Sequence, residues 1–137
     1  HGKYNLFNRE PEEEGILRQA KENGTGFIAF SPLAQGLLTN RYLNGITDDS
    51  RIAKGGFLKK EALTDEVLKK IKALNELAIR RGQTLAEMAL AWILKDDLVT
   101  SVIIGASSVG QLADNLKAID NTAFSAEELK NIYQIVK

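Results

Sequence analysis

No cysteine occurs in this chain, so disulfides, thiolate metal centres and cysteine nucleophiles are excluded together, and a reducing compartment is compatible with the sequence. The single histidine is His1, and a terminal position gives it no claim to general-base or metal-ligand chemistry. Charge of one sign is not in excess: 18 Lys plus Arg meet 18 Asp plus Glu. That balance removes the global field that draws proteins to nucleic acid or anionic membranes. No apolar run reaches the roughly 18 residues that a membrane helix needs, and no signal-peptide pattern opens the chain. These absences predict a soluble, cytoplasmic protein whose partner is a small neutral molecule or a locally held anion, with no nucleic-acid or membrane partner. What is present suffices for one core, since 44% of the 137 residues are hydrophobic.

Pro11 followed by three glutamates predicts a helix first turn, and Asn23-Gly24 predicts its end. The run "TGFIAF", residues 25–30, is rich in aromatic and branched side chains and predicts a strand buried on both faces. A long irregular stretch follows from Ser31 to about Leu63, with Gly36, Gly45, Gly55 and Gly56; in compact domains such loops are functional or disordered. Thr64-Asp65-Glu66 then caps a helix carrying Val67, Ile71, Leu74 and Ala78 at helical spacing, ending at Gly82. A capping box at Thr84–Glu87 opens a second helix with Leu85, Met88, Ala89, Trp92 and Ile93 inward. "VTSVIIGAS", residues 99–107, is the second apolar strand, and Ser108–Gln111 opens a helix with Leu112, Leu116 and Ile119. Ser125–Glu128 caps a last helix with Leu129, Ile132, Tyr133 and Val136 on one side.

Strands alternating with amphipathic helices predict parallel βαβ units whose strand ends meet at one ligand-binding rim. "YNLF", within His1 to Asn8, has no preceding turn or cap and reads as chain that begins inside a strand. Two complete strands and one partial strand neither close a barrel nor make a comfortable open sheet, because the outer strands leave rows of unpaired amides. Residues 1–137 therefore read as a single fragment that self-associates through its exposed strand edges.

The two rims carry the chemistry. The first supplies Ser31, Gly36 and Arg41, then Ser50-Arg51; the second supplies Gly105-Ala106-Ser107 and a helix start. Hydroxyls, close-approaching glycine backbone and guanidinium groups are the parts of a phosphate cradle, and two such rims side by side suit a dinucleotide pyrophosphate. From spacing alone the signal is weak, since a Ser-Pro after a strand is more often just a turn. Trp92 with Met88 and Leu85 reads as core, while Asp48-Asp49 and Asp96-Asp97 read as solvated turns without the further ligands a metal site needs.

"YNLFNRE", "GFIAFSPLAQGLLTNRYLNGI", "SR" and "AEMALAWILKDDLVTSVIIGASSVGQLADNLKAI", in that order, resemble the last third of an aldo-keto reductase. The likeness is to bacterial members related to potassium-channel β subunits and to glyceraldehyde-phosphate-type reductases. It implies an α/β fold: the C-terminal portion of a (β/α)₈ TIM barrel, comprising the end of strand six, strands seven and eight, and the surrounding helices. Phe30 stands where the family packs an aromatic on the nicotinamide ring, and Ser31, Pro32, Leu33, Gln35 and Gly36 stand at the turn over the pyrophosphate. Arg41 takes the place of a phosphate-binding lysine, and Ser50 and Arg51 match the Ser-Arg that follows. Gly105 and Ser107 fall near the adenosine phosphate, and Gln111, Asp114 and Asn115 fall at the adenine end, where the family has glutamate in place of Asp114.

Departures qualify the inheritance. His1 and Gly2 replace a glutamine and a proline and read as added tag residues, and Gly105 stands where many members carry the lysine that grips the 2′-phosphate. The family's catalytic Asp, Tyr, Lys and His lie in earlier strands, and nothing here matches them, so no catalytic residue is assigned. The resemblance thus implies an NAD(P)H-dependent reductase of aldehydes or ketones with NADP(H) as coenzyme, NAD(H) as the alternative, and a small carbonyl substrate. This piece, inactive by itself, is the cofactor-binding part. The other reading is a nucleotide-sensing regulatory module resembling channel β subunits.

Overall fold

Three short strands form one parallel sheet in the order β1 (Gly2–Lys3), β2 (Ile28–Phe30) and β3 (Ser101–Val102). The computed structural model describes residues 1–43 and 64–137. Gly2 is opposite Ala29 and Lys3 opposite Phe30, while Ile28 faces Ser101 and Ala29 faces Val102. Ladder bonds continue past the strands: Tyr4 N–H donates to Phe30 O at 3.3 Å and Ile103 N–H to Ala29 O at 2.9 Å. The strands are shorter than the apolar runs that predict them, because regular pairing extends only where a partner continues and β2 is three residues long.

Burial along β2 alternates. Phe27 and Ala29 are buried, whereas Ile28 and Phe30 stay 42% and 37% exposed. The expectation of a strand buried on both faces is therefore corrected: helices cover one face of the sheet, and on the other Ile28, Phe30 and Ile103 remain partly exposed.

Helices follow their caps. The single helix expected from Pro11 to Asn23 is instead two, α1 (Glu10–Glu13) and α2 (Ile16–Glu22). Gly15 lies between them at φ +77°, a left-handed conformation that glycine adopts without a Cβ clash and that turns the chain out of the first helix. The predicted stop holds: Gly24 is left-handed, Gly24 N–H donates to Lys21 O, and Thr25 N–H reaches Ala20 O at 2.8 Å, closing a Schellman cap. The same device ends α3 (Asp65–Arg80), where Gly82 N–H meets Ile79 O and Gln83 N–H meets Ala78 O. At its start Thr64 Oγ1 accepts from Val67 N–H at 3.1 Å.

The Thr84–Glu87 capping box opens α4 (Leu85–Ile93). All nine residues of α4 are buried, Glu87 included, because α3, α5 (Val109–Leu116) and the turn at Lys117–Asp120 all pack on it. Ser125 and Glu128 form the capping box of α6 (Ala126–Val136). At α5 the box is half made: Ser108 Oγ accepts from Gln111 N–H, but the Gln111 side chain turns to Ser107. The expected apolar side lies open: Leu112 and Leu116 on α5, and Ile119, which falls in the turn Lys117–Asp120 and not on the helix, are between 41% and 67% exposed.

Arg81 ties α6 to the helical layer. Its Nη1 donates to Ala123 O and Glu128 Oε2 at 2.9 Å each, Nη2 donates to Asn121 O at 3.1 Å, and the guanidinium lies 3.6 Å from the Phe124 ring centre. At Glu128 burial is the largest influence and works against the charge. The Ser125 backbone N–H and the Arg81 guanidinium together outweigh it and hold the carboxyl below its ordinary value. No helix among the described residues is long and apolar enough to cross a membrane.

Leu74, fully buried on α3, is expected to cost about 2–5 kcal/mol of unfolding free energy when replaced by alanine, whereas Ile79→Ala, on the same helix at 65% exposure, stays within about 0.5 kcal/mol. Urea unfolding of the two variants checks the assignment of faces. Because the folded Glu128 pKa is depressed, its contribution is complete above the unfolded carboxylate value near about 4.3 and lost as pH falls through the folded value. The stability difference between the parent and Glu128→Gln, followed by thermal melts, should therefore shrink from about pH 6 to about pH 3.

Candidate functional site

Where β2 ends, the backbone enters a strained turn. Four of the six residues from Ser31 to Gly36 have positive φ: Ser31 at 52°, Ala34 at 49°, Gln35 at 58° and Gly36 at 96°. Glycine holds this conformation freely, but each of the other three costs on the order of 1 kcal/mol and persists only because its surroundings over-determine it. The surroundings are visible: Leu37, Leu38 and Tyr42 are buried behind the turn. Ser31 O accepts from Ala34 N–H at 3.2 Å and from Asn5 Nδ2 at 2.9 Å.

Thr39 fixes the next step. Its Oγ1 donates to Gly36 O at 2.6 Å and accepts from Arg41 N–H at 3.2 Å. This cap starts the short 3₁₀ turn Asn40–Tyr42, which sends Arg41 back over the glycine. A Cβ placed on Gly36 would lie 3.5 Å from Tyr42 Cε2 and 3.8 Å from Arg41 Nη1; those contacts are tolerable, and it is φ that requires glycine there.

The second wall comes from the chain after β3. Residues 103–106 leave the sheet without regular secondary structure, the chain bends at Ser107, and Ser108 caps α5. Gln111 Oε1 accepts from both Ser107 N–H at 2.6 Å and Ser107 Oγ at 3.0 Å, so the glutamine side chain pins the serine to the first turn of the helix.

Between the walls is a cleft of about 610 Å³. Ser31, Pro32, Leu33, Gln35, Gly36, Thr39 and Arg41 line one side, and residues 103–107 with Gln111 line the other. Arg41 is the only charged residue among these. Two buried polar atoms of the first wall lack a partner among the described residues, Gln35 Oε1 and the Tyr42 hydroxyl. Such orphans are unusual in folded proteins, and the Gln35 oxygen belongs to a residue that lines the cleft.

Of the candidates from sequence, Ser31, Pro32, Leu33, Gln35, Gly36, Arg41, Gly105, Ser107 and Gln111 are brought together here. Phe30 lies on the open face of the sheet, its ring 6.0 Å from that of His1, outside the lining of the cleft. Asp114 accepts from Thr84 Oγ1 at 3.2 Å and so braces α5 on the start of α4. Asn115 is buried, and its Nδ2 has no partner among the described residues. Ser50 and Arg51 lie outside the described residues.

Sequence reasoning missed Thr39, Ile103 and Ile104 as lining residues, while Ala106, named with the second rim, does line the cleft. The preference of threonine for helix caps was a usable signal for Thr39, and the period-2 pattern of the strand could have placed one of the two isoleucines at the cleft. Among the described residues no group of acidic or histidine side chains could hold a metal ion.

The sequence profile of the Aldo/keto reductase family matches residues 1–137. An L-glyceraldehyde 3-phosphate reductase of Escherichia coli is 51% identical over 135 residues, which are 96% of this chain and 39% of that protein. A probable voltage-gated potassium channel subunit beta of Arabidopsis thaliana is 40% identical over 120 residues, 85% of this chain and 37% of the relative. Among solved structures, the holo form of an aldo-keto reductase from Bacillus halodurans superposes with a TM-score of 0.71 at 28% identity, covering 98% of this chain and 41% of that one. A thermostable aldo-keto reductase bound to the inhibitor epalrestat gives 0.67, also at 28% identity, covering 97% and 38%. The chain spans about two fifths of the length of the relatives it matches, 39% for the Escherichia coli enzyme. With the whole sequence inside the profile and the three-stranded parallel sheet matched in solved relatives, this chain belongs to the aldo/keto reductase family.

Proposed function

We propose that this chain is the coenzyme-binding part of an NAD(P)H-dependent reductase of aldehydes or ketones, a C-terminal stretch of the family's barrel. One observation carries the reading: the turns after β2 and β3 converge on a single cleft in which the one charged residue among the described lining is the cation Arg41. The residues fit a dinucleotide. Arg41 gives a guanidinium to a phosphate oxygen, the left-handed backbone at Gly36 admits close approach, and Ser31 and Ser107 add hydroxyls. The orphaned Gln35 oxygen offers an acceptor to a ligand hydroxyl or amide.

Bound NAD(P)H would supply hydride to a carbonyl carbon. This chain's own residues bind and orient: Gln111 holds Ser107, Thr39 holds Arg41, and Asp114 steadies α5 through Thr84. Phe30, half-exposed on the sheet face beside the rim, presents a flat apolar ring suited to a flat coenzyme ring. Among the described residues the cleft lining has no Asp, Tyr, Lys or His, and in this proposal the proton for the carbonyl oxygen comes from a residue elsewhere in the protein, so that the chain by itself is inactive. NADP(H) is the proposed coenzyme and NAD(H) the alternative, since Gly105 offers no cation for a 2′-phosphate.

The 40% identity to a channel subunit beta supports a second reading, a nucleotide-sensing module in which turnover is secondary. Tight NADPH binding with negligible reduction of a panel of aldehydes would favour it. We also propose that the chain alone self-associates, because among the described residues β1 and β3 each have an unpaired edge and Ile103, just past β3, is exposed. Gel filtration returning a monomer would contradict that.

Titration of the full-length gene product with NADPH and with NADH, followed by fluorescence, tests the main reading. Saturable NADPH binding is expected. Arg41→Ala should weaken it about 10- to 100-fold, as loss of a charge-assisted hydrogen bond does, while Arg41→Lys should retain part of the affinity. No saturable signal with either nucleotide would overturn the proposal.

A further inference from the structure

We infer that Asn5 is a positioning residue for the nucleotide site, acting by holding Ser31 in its left-handed conformation; the inference rests on the coenzyme reading above. Asn5 is 1% exposed and lies just past β1. Its Oδ1 accepts from Phe7 N–H at 2.8 Å and from Asn8 N–H at 2.9 Å, and its Nδ2 donates to Ser31 O at 2.9 Å. Two backbone donors oblige the oxygen to face the turn at residues 5–8, which leaves the nitrogen facing the serine carbonyl. The amide is therefore oriented without ambiguity, and it links two rim turns that are 26 residues apart in sequence.

The sheet does not need this bond, because the ladder already ties Tyr4 N–H to Phe30 O one residue earlier. What the bond does hold is the first residue after β2. Ser31 has φ +52°, a conformation that a serine leaves readily unless its carbonyl is held. Rotation of Ser31 to an extended conformation would carry that carbonyl away from both Asn5 Nδ2 and Ala34 N–H, the two donors it satisfies. The path of Pro32 to Gly36, and with it the position of Arg41 over Gly36, follows from that one residue. The geometry of the cleft wall thus depends on a side chain that does not line the cleft.

Two substitutions in the full-length gene product separate positioning from simple support. Asn5→Asp keeps an acceptor for Phe7 and Asn8 but sets a second oxygen against the Ser31 carbonyl. Asn5→Ser keeps a local turn and is too short to reach Ser31. Leu6→Ala is the comparator, since Leu6 is 1% exposed in the same segment and its side chain makes no polar contact. With NADPH as the probe, Asn5→Asp is expected to raise Kd and the NADPH KM about tenfold, the usual effect of one lost buried hydrogen bond. The KM for the carbonyl substrate, measured at saturating NADPH, should stay within about twofold of the parent. Leu6→Ala should lower the melting temperature without that selective rise. If Asn5→Asp does not fold by circular dichroism, Asn5→Ser decides. A Kd within about twofold of the parent in the folded variants, or a rise matched by Leu6→Ala at equal loss of stability, overturns the assignment to Asn5 alone. Absence of saturable binding of both NADPH and NADH by the parent overturns the coenzyme reading, and the Asn5 assignment with it; a parent that binds NADH alone is tested with NADH as the probe in the same comparison.

Discussion

Parallel pairing of β2 with both β1 and β3 is the constraint from which the rest follows. In a parallel sheet every strand delivers the chain to the same edge, so the turns after residues 3, 30 and 102 have no choice but to be neighbours. The helices return the chain to the opposite edge each time and, in doing so, cover one face of the sheet. The site is therefore assembled from segments far apart in sequence by the direction of three very short strands.

Stability and strain are distributed accordingly. The rigid part is the layer built on α3 and α4, where α4 is buried on every side and Arg81 ties the segment after α5 to the start of α6. The strained part is the turn at Ser31–Gly36, where three non-glycine residues hold positive φ. Strain of that kind concentrates at functional sites and requires a well-packed support. Here the support comes from Leu37, Leu38 and Tyr42 behind the turn and from the Asn5 amide beside it.

Helix ends were legible because they are written in local chemistry. Thr64, Thr84 and Ser125 each accept the expected backbone N–H, and Gly24 and Gly82 end their helices in left-handed geometry. Gly15 was not legible as a break, since a glycine inside a helical pattern is compatible with either outcome until packing decides. Strand lengths and the open face of β2 depend on what pairs with and covers the strand, which a local pattern does not contain. Most of the cleft lining was readable, since the hydroxyls, glycine and arginine just past the two strand runs are marked in the sequence by their position. Thr39 and Asn5 escaped because they act on the backbone of their neighbours, and a buried asparagine that clamps a turn looks in sequence like any other asparagine.

In the proposed function both rims belong to one nucleotide site. Amide hydrogen exchange of the full-length protein with and without saturating NADPH tests it directly. Joint protection of residues 31–41 and 103–111, with no comparable change on the outer surface of α3 and α6, is the predicted result. Protection of only one of the two rims, or of neither while the nucleotide is bound, would contradict it.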